Sequence, residues 1–113
     1  MKTVKGIYSV RCVIRWPRRP DQKRKYLYEE RITIWRAKNI DDAIEKAELE
    51  ACRYMKGGSK KAAEGVQAYW LSDSLGNFRN GAELFSLFRE SDLPPGKYLT
   101  HYFLSGNERS RSA

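Results

Sequence analysis

Hydrophobic and polar positions alternate in two registers along this chain. From Gly6 to Trp16 the period is two: Tyr8, Val10, Cys12, Ile14 and Trp16 fall on one face, with Ser9, Arg11 and Arg15 on the other. That pattern predicts a strand. Pro17 to Lys25, PRRPDQKRK, breaks it with two prolines and predicts a loop. Tyr26 to Arg36 is rich in aromatic and β-branched residues and predicts a second strand. Antiparallel pairing of Trp16 with Tyr26 sets Ile14 opposite Tyr28, Val10 opposite Ile32 and Tyr8 opposite Ile34, so the apolar faces coincide. This register also puts Glu30 beside Cys12 and Glu29 near Arg11, Val13 and Arg15.

From Asn39 to Gly58 the period changes to three and four. Ile40, Ala43, Ile44, Ala47, Ala51, Tyr54 and Met55 line one side of a helix. Asn39 is the expected N-cap, Asp41 and Asp42 sit in the first turn, and Gly57 suits the left-handed stop. One apolar stripe requires a surface to cover, and a sheet is the simplest. Full burial of Ile40, Ile44 and Met55 would contribute roughly 1.5–3 kcal/mol each.

Ser59 to Gly65 reads as a polar linker and Val66 to Ser72 as a third strand. Asp73 to Gly81 reads as a turn. Ala82 to Glu90 fits both periods. Leu84, Leu87 and Phe88 suit a helix face, and Phe85 with Leu87 suit a strand; the preceding Gly- and Asn-rich turn favours strand. Pro94, Pro95 and Gly96 force a turn, and Tyr98 to Leu104 is expected as a last strand. The predicted order is β-β-α-β-β-β: an α+β fold, a mostly antiparallel sheet with one long amphipathic helix packed on one face. Residues 1–105 form a single domain, and 106–113 form a flexible polar tail. The sheet's second face is left for solvent or a partner, with Trp35, Tyr69 and some of Phe85, Tyr98 or Tyr102 expected there.

Charge sharpens this picture. The net charge of +8 lies entirely in residues 1–25, where nine basic residues face Asp21 alone; residues 26–113 balance 13 basic with 13 acidic. Such a local surplus attracts anionic partners. Arg15, Trp16, Arg18, Arg19, Lys23, Arg24 and Lys25 are the candidate anion- or partner-binding residues, because guanidinium forks suit phosphate and carboxylate and rings can stack on bases. Arg11 and Trp35 are candidate contacts on the exposed sheet face.

Catalytic chemistry finds little support. His101, the one histidine, sits in an aromatic stretch without a nucleophile beside it. No nucleophile elbow, phosphate loop, dinucleotide fingerprint or zinc-protease pattern occurs. Glu29 and Glu30 face opposite ways on a strand; Glu83 and Glu108 are bare candidates for a ligand carboxylate. Gly6-Ile7-Tyr8 matches the opening of the GIY-YIG nucleases, but Tyr26-Leu27-Tyr28 stands where their second motif belongs. Cys12 and Cys52 form no metal pattern and are expected as buried free thiols. No catalytic residue, metal or cofactor is assigned. A polar amino terminus and the lack of a long apolar run point to a cytoplasmic chain without a membrane span.

Tyr8-Ser9-Val10, Tyr28-Glu29-Glu30, Ala43 through Glu48, Gly81-Ala82-Glu83-Leu84-Phe85-Ser86, Tyr98 through Phe103 and Gly106-Asn107-Glu108 together resemble a bacterial family, domain of unknown function 4288. The resemblance implies a compact bacterial domain without an established activity and carries over no functional residue. The arginine-rich loop looks like a local elaboration on it. The expected function is a small non-enzymatic binding module that docks a protein partner, as an accessory or neutralising protein. The alternative is nucleic-acid binding through the basic hairpin loop 15–25. Self-association through the open sheet face is a further expectation.

Overall fold

The structure is a computed structural model that describes residues 6–55, 63–73 and 77–103 and the backbone of 110–112. Strand β1 (Gly6–Trp16) pairs antiparallel with β2 (Tyr26–Ala37) and with β3 (Ala63–Ser72). Strand β4 (Ala82–Ser91) pairs antiparallel with β2, and the short β5 (Ser110–Ser112) with β3. The sheet order is β4-β2-β1-β3-β5. Helix α1 (Ile40–Tyr54) covers one face. The fold is α+β with an antiparallel sheet, as the alternation of periods predicts.

Helix α1 is shorter than the expected Asn39–Gly58. It spans 15 residues, begins at the Asn39 cap, whose side chain accepts from the Asp42 N–H, and ends at Tyr54 with Met55 as its C-cap; the expected Gly57 stop lies outside the described residues. Ala43, Ile44, Ala47 and Ala51 are buried against the sheet. Small alanines let the helix axis come close to β1 and β3, where Val10, Cys12, Val66 and Ala68 meet it. Strand β3 starts at Ala63, inside the stretch expected as linker.

Two expectations are corrected. The first is the register of the first hairpin. Trp16 lies opposite Leu27, Ile14 opposite Glu29, Cys12 opposite Arg31 and Tyr8 opposite Trp35. The shift is one residue, and it exchanges the faces of β2. Leu27, Glu29, Arg31, Thr33 and Trp35 therefore face α1, and Tyr28 and Glu30 face away with Arg11 and Val13. Trp35, expected on an open face, is buried in the core, and its indole N–H donates to Thr33 Oγ1 at 2.7 Å. Gly81, with φ of +83°, turns the chain tightly into β4 over that ring; a Cβ there would stand 2.8 Å from it.

The second correction concerns Tyr98 to Leu104. Pro95–Tyr98 form a helical turn, α2, and Leu99–Phe103 continue as a π-helical turn. Pro95 at the first position of the turn has the φ that a helix start needs and no N–H to leave unpaired. This segment lies across the second face of the sheet. Tyr98, Leu99 and Phe103 are buried against Val13 and Tyr28, and Tyr98 stacks on Tyr28 with ring centroids 3.8 Å apart. Gly65 of β3 admits the lid, since a Cβ there would stand 2.6 Å from Leu99 Cδ2. Leu104 lies outside the described residues, as do the tail residues 106–109 and 113.

Candidate partner interface

Adjacent carboxylates on β2 organise the two faces. Under α1, Glu29 is fully buried and accepts from three neutral donors: Trp16 Nε1 at 2.9 Å, the Tyr54 hydroxyl at 2.8 Å and the Ser86 hydroxyl. Arg31 beside it pairs with Glu50 of α1 and, at 2.7 Å, with Glu83 of β4, while its guanidinium covers the Tyr54 ring at 3.8 Å. Burial opposes its charge, yet the hydrogen bonds and charges of Glu50 and Glu83 hold its pKa above the ordinary arginine value. Burial and the Glu29 carboxylate push the Tyr54 hydroxyl up to about 12.

On the lid face, Glu30 takes Arg11 on one oxygen and, on the other, Arg89 at 2.6 Å and the Tyr98 hydroxyl at 2.8 Å. Burial works against the carboxylate, but hydrogen bonds from Arg11 and Tyr98 and the charges of both arginines hold it below its ordinary pKa. The same arginines stack on the lid: Arg11 lies 4.4 Å over Phe103 and Arg89 4.1 Å over Tyr102. Arg11 also donates to Gln67 Oε1 at 3.2 Å and to the Tyr102 carbonyl at 3.2 Å. Arg11, expected as an exposed contact, thus ties the lid to the sheet. Buried charge here is matched charge; among the described residues every buried side-chain polar atom has a partner.

The basic loop after β1 is tied down as well. Gln22 is buried; its Oε1 accepts from the Arg19 N–H at 3.1 Å, and its Nε2 donates to the Arg24 carbonyl at 2.7 Å. Arg18 donates to the carbonyls of Arg24 and Gln22 at 3.2 and 3.3 Å. Glu90 accepts the N–H groups of Lys23 and Arg24 at 2.7 and 3.0 Å. Asp92 accepts the Lys25 N–H at 3.1 Å and pairs with Arg24 at 3.0 Å. Those contacts hold the Asp92 carboxyl below its usual range, the backbone N–H of Lys25 foremost. The loop is therefore fixed to the end of β4.

This anchoring sorts the seven candidates. Trp16 serves the core, edge-on to Tyr54 and hydrogen-bonded to Glu29. Arg18 and Arg24 brace the loop. Arg15, on the lid face, reaches Glu64 at 3.4 Å. Arg19, Lys23 and Lys25 present their side chains to solvent. Arg19 lies over the Phe88 ring at 5.5 Å. Arg19, Lys23, Arg24, Leu27, Phe88, Arg89 and Glu90 line an open cleft of about 460 Å³.

Sequence reasoning passed over the outer edge of β4. Among the described residues that strand pairs only with β2. Leu84, Phe85 and Phe88 on it are 56, 52 and 46 % exposed. Between Glu83 and Arg89 the run Leu-Phe-Ser-Leu-Phe contains no charge or proline, the usual protections of a free strand edge. A bulge at Leu84 interrupts its register with β2. The uncharged run was the available signal. Exposed Tyr69, Trp70 and Leu71 form a second apolar group on β3, whose outer edge is partly taken by β5.

A second open depression, about 440 Å³, is lined by Leu93, Lys97, Thr100 and His101. The Thr100 hydroxyl there donates to the Gly96 carbonyl at 3.1 Å. Glu83 is engaged by Arg31, and Glu108 lies outside the described residues. Among the described residues, no three His, Cys, Asp or Glu side chains gather as metal ligands, and neither Cys12 nor Cys52 forms a disulfide. No described helix is long and apolar enough to cross a membrane. Comparison with protein families, curated proteins and solved structures finds no match.

Proposed function

We propose that the chain is a small non-enzymatic binding module that docks a protein partner along the outer edge of β4 and the adjoining basic loop. The observation that carries this reading is the open edge itself. Along the ten-residue β4, alternate residues turn their backbone groups away from β2 with no strand beside them among the described residues; the edge adds a five-residue uncharged run and, at one end, a cationic loop held in place by Glu90 and Asp92. Strand addition supplies affinity through main-chain hydrogen bonds, and side-chain pockets supply choice of partner. An accessory or neutralising role fits such a surface, as does the cytoplasmic setting expected from the chain's composition.

The test is affinity capture from the native host, followed by reconstitution with the purified partner. Wild-type chain should bind it, and Phe88→Lys should weaken binding by at least about tenfold, the effect of losing a central apolar anchor. A reconstituted complex indifferent to both Phe88→Lys and the double change Arg19→Glu, Lys23→Glu sinks the proposal.

The cationic cleft over Phe88 favours a second reading, nucleic-acid binding through loop 15–25. Here affinity would fall linearly with salt on logarithmic axes. Reversing Arg19 and Lys23 tests it cleanly, because Arg18 and Arg24 also hold the loop together. No binding of single- or double-stranded nucleic acid at low salt removes this reading.

A further inference from the structure

The uncharged run on β4 is self-complementary. Written antiparallel to itself about Ser86, Leu84 opposes Phe88, Phe85 opposes Leu87, and Ser86 opposes Ser86. Moving the centre to Phe85 sets Leu84 against Ser86 and Glu83 against Leu87. Moving it to Leu87 sets Leu84 against Glu90 and Phe85 against Arg89. One register alone among these three sets each apolar residue of the run against another apolar one and leaves Ser86 to meet itself, and a one-residue change of centre undoes it.

Charge agrees with that register. At one end of β4, Glu83 stands on the α1 face opposite Thr33; Arg31, opposite Ser86 at the middle of the strand, is shared between Glu83 and Glu50 and so neutralises Glu83 only in part. At the other end, Arg19 lies over Phe88 on the same face, beside Lys23. Antiparallel pairing about Ser86 sets Phe88 against Leu84 of the second copy, so Arg19 comes beside Glu83 of that copy, at both ends alike. The charged Glu83, Arg89 and Glu90 bound the matched run, and the bulge at Leu84 falls on its outermost pair.

From this we infer that the occupant of the β4 edge is a second copy of the chain, joined antiparallel with Ser86 on the two-fold axis. The inference rests on the reading of β4 as a docking edge and names its partner. The two sheets become one continuous sheet, and both α1 helices lie on the same side of it. Phe85 and Leu87 pack across the lid face. Phe88 meets Leu84 of the second copy, with Arg19 and Glu83 flanking each pair. A two-fold contact of this kind closes on itself and leaves no β4 edge for further addition. The β3 side is less suited to the same role, since β5 already pairs with Gly65–Gln67.

Sedimentation equilibrium of the purified wild-type chain up to about 100 µM tests the assembly. A dimer is expected, and Phe85→Lys, at a position already 52 % exposed, should raise its dissociation constant by about 100-fold with the circular dichroism spectrum unchanged. Register is tested by cross-linking on a Cys52→Ser background. Leu84→Cys chains mixed with Phe88→Cys chains should form a disulfide-linked heterodimer under mild oxidation, and Leu84→Cys chains alone should not. A wild-type monomer across the concentration range overturns the self-pairing while the docking of a different protein stands. A dimer that ignores Phe85→Lys, or one that links Leu84→Cys to itself as fast as to Phe88→Cys, also overturns it.

Discussion

Glu29 and Glu30 are neighbours in sequence and occupy opposite faces of one sheet, and they solve the problem of a buried carboxylate differently. Glu29 takes three neutral hydrogen bonds, from Trp16, Tyr54 and Ser86. Glu30 takes two guanidinium groups and a phenol, from Arg11, Arg89 and Tyr98. The first sits under the 15-residue amphipathic helix α1, which apolar packing already holds. The second sits under a nine-residue segment that buries Tyr98, Leu99 and Phe103 on Val13 and Tyr28, and its arginines further fasten that lid through Tyr102 and Phe103. Where the hydrophobic stripe is broad, the buried charge tunes the fit. Where it is narrow, charge and stacking reinforce the attachment.

The largest break in this comparison should come from Tyr98→Ala. It removes the ring stacked on Tyr28 and the hydroxyl on Glu30, and it should cost about 3–5 kcal/mol by urea denaturation. A loss below about 1 kcal/mol would mean the lid does not depend on that ring. Next, the two carboxylates should part company on neutralisation. Glu30→Gln leaves Arg11 and Arg89 without a matching charge and should cost about 2–4 kcal/mol. Glu29→Gln keeps shape and partners whose hydroxyls can rotate, and it should cost less than about 1 kcal/mol. Equal costs for the two would erase the distinction.

Acid should act on the lid face. The folded-state pKa of Glu30 is below its ordinary value near 4.5, so its stabilisation is present above that value and is lost as pH falls through the lower folded pKa. Denaturant midpoints measured down that window should fall in the wild type, and the fall should be shallower in Glu30→Gln. An identical profile in both chains would assign the acid sensitivity elsewhere. Smaller still is a kinetic difference on the α1 face. Burial pushes the Cys12 thiol up to about 12, so it should resist alkylation in the native state, while the half-buried Cys52 reacts first. Peptide mapping after brief iodoacetamide treatment gives the order directly.

Much of the fold can be read from the residues because local period and local stops agree. Asn39 caps a helix whose alanines and isoleucine are buried as the three-four spacing requires. Prolines at 17 and 20 end one strand, and Gly81 starts another at positive φ. The candidate site is less legible. Five basic loop residues share a charge surplus, but their division into braces and solvent-facing cations depends on Gln22, Glu90 and Asp92. Two of those three lie more than sixty positions from the loop.

The sequence by itself determined the α+β class with an antiparallel sheet, the position of the basic loop and the uncharged run on β4 centred on Ser86. Tertiary structure alone decided which face of β2 meets the helix. Both faces of that strand are apolar in part and charged in part, so a period of two cannot choose between them. The choice falls to partners elsewhere: Glu50, Tyr54 and Ser86 receive Glu29 and Arg31 on one side, and Arg11, Arg89 and Tyr98 receive Glu30 on the other. Tertiary structure likewise turned Tyr98 to Phe103 from an alternating stretch into a helical lid, because Pro95 starts a turn there and Val13 and Tyr28 give its aromatic side a surface to cover.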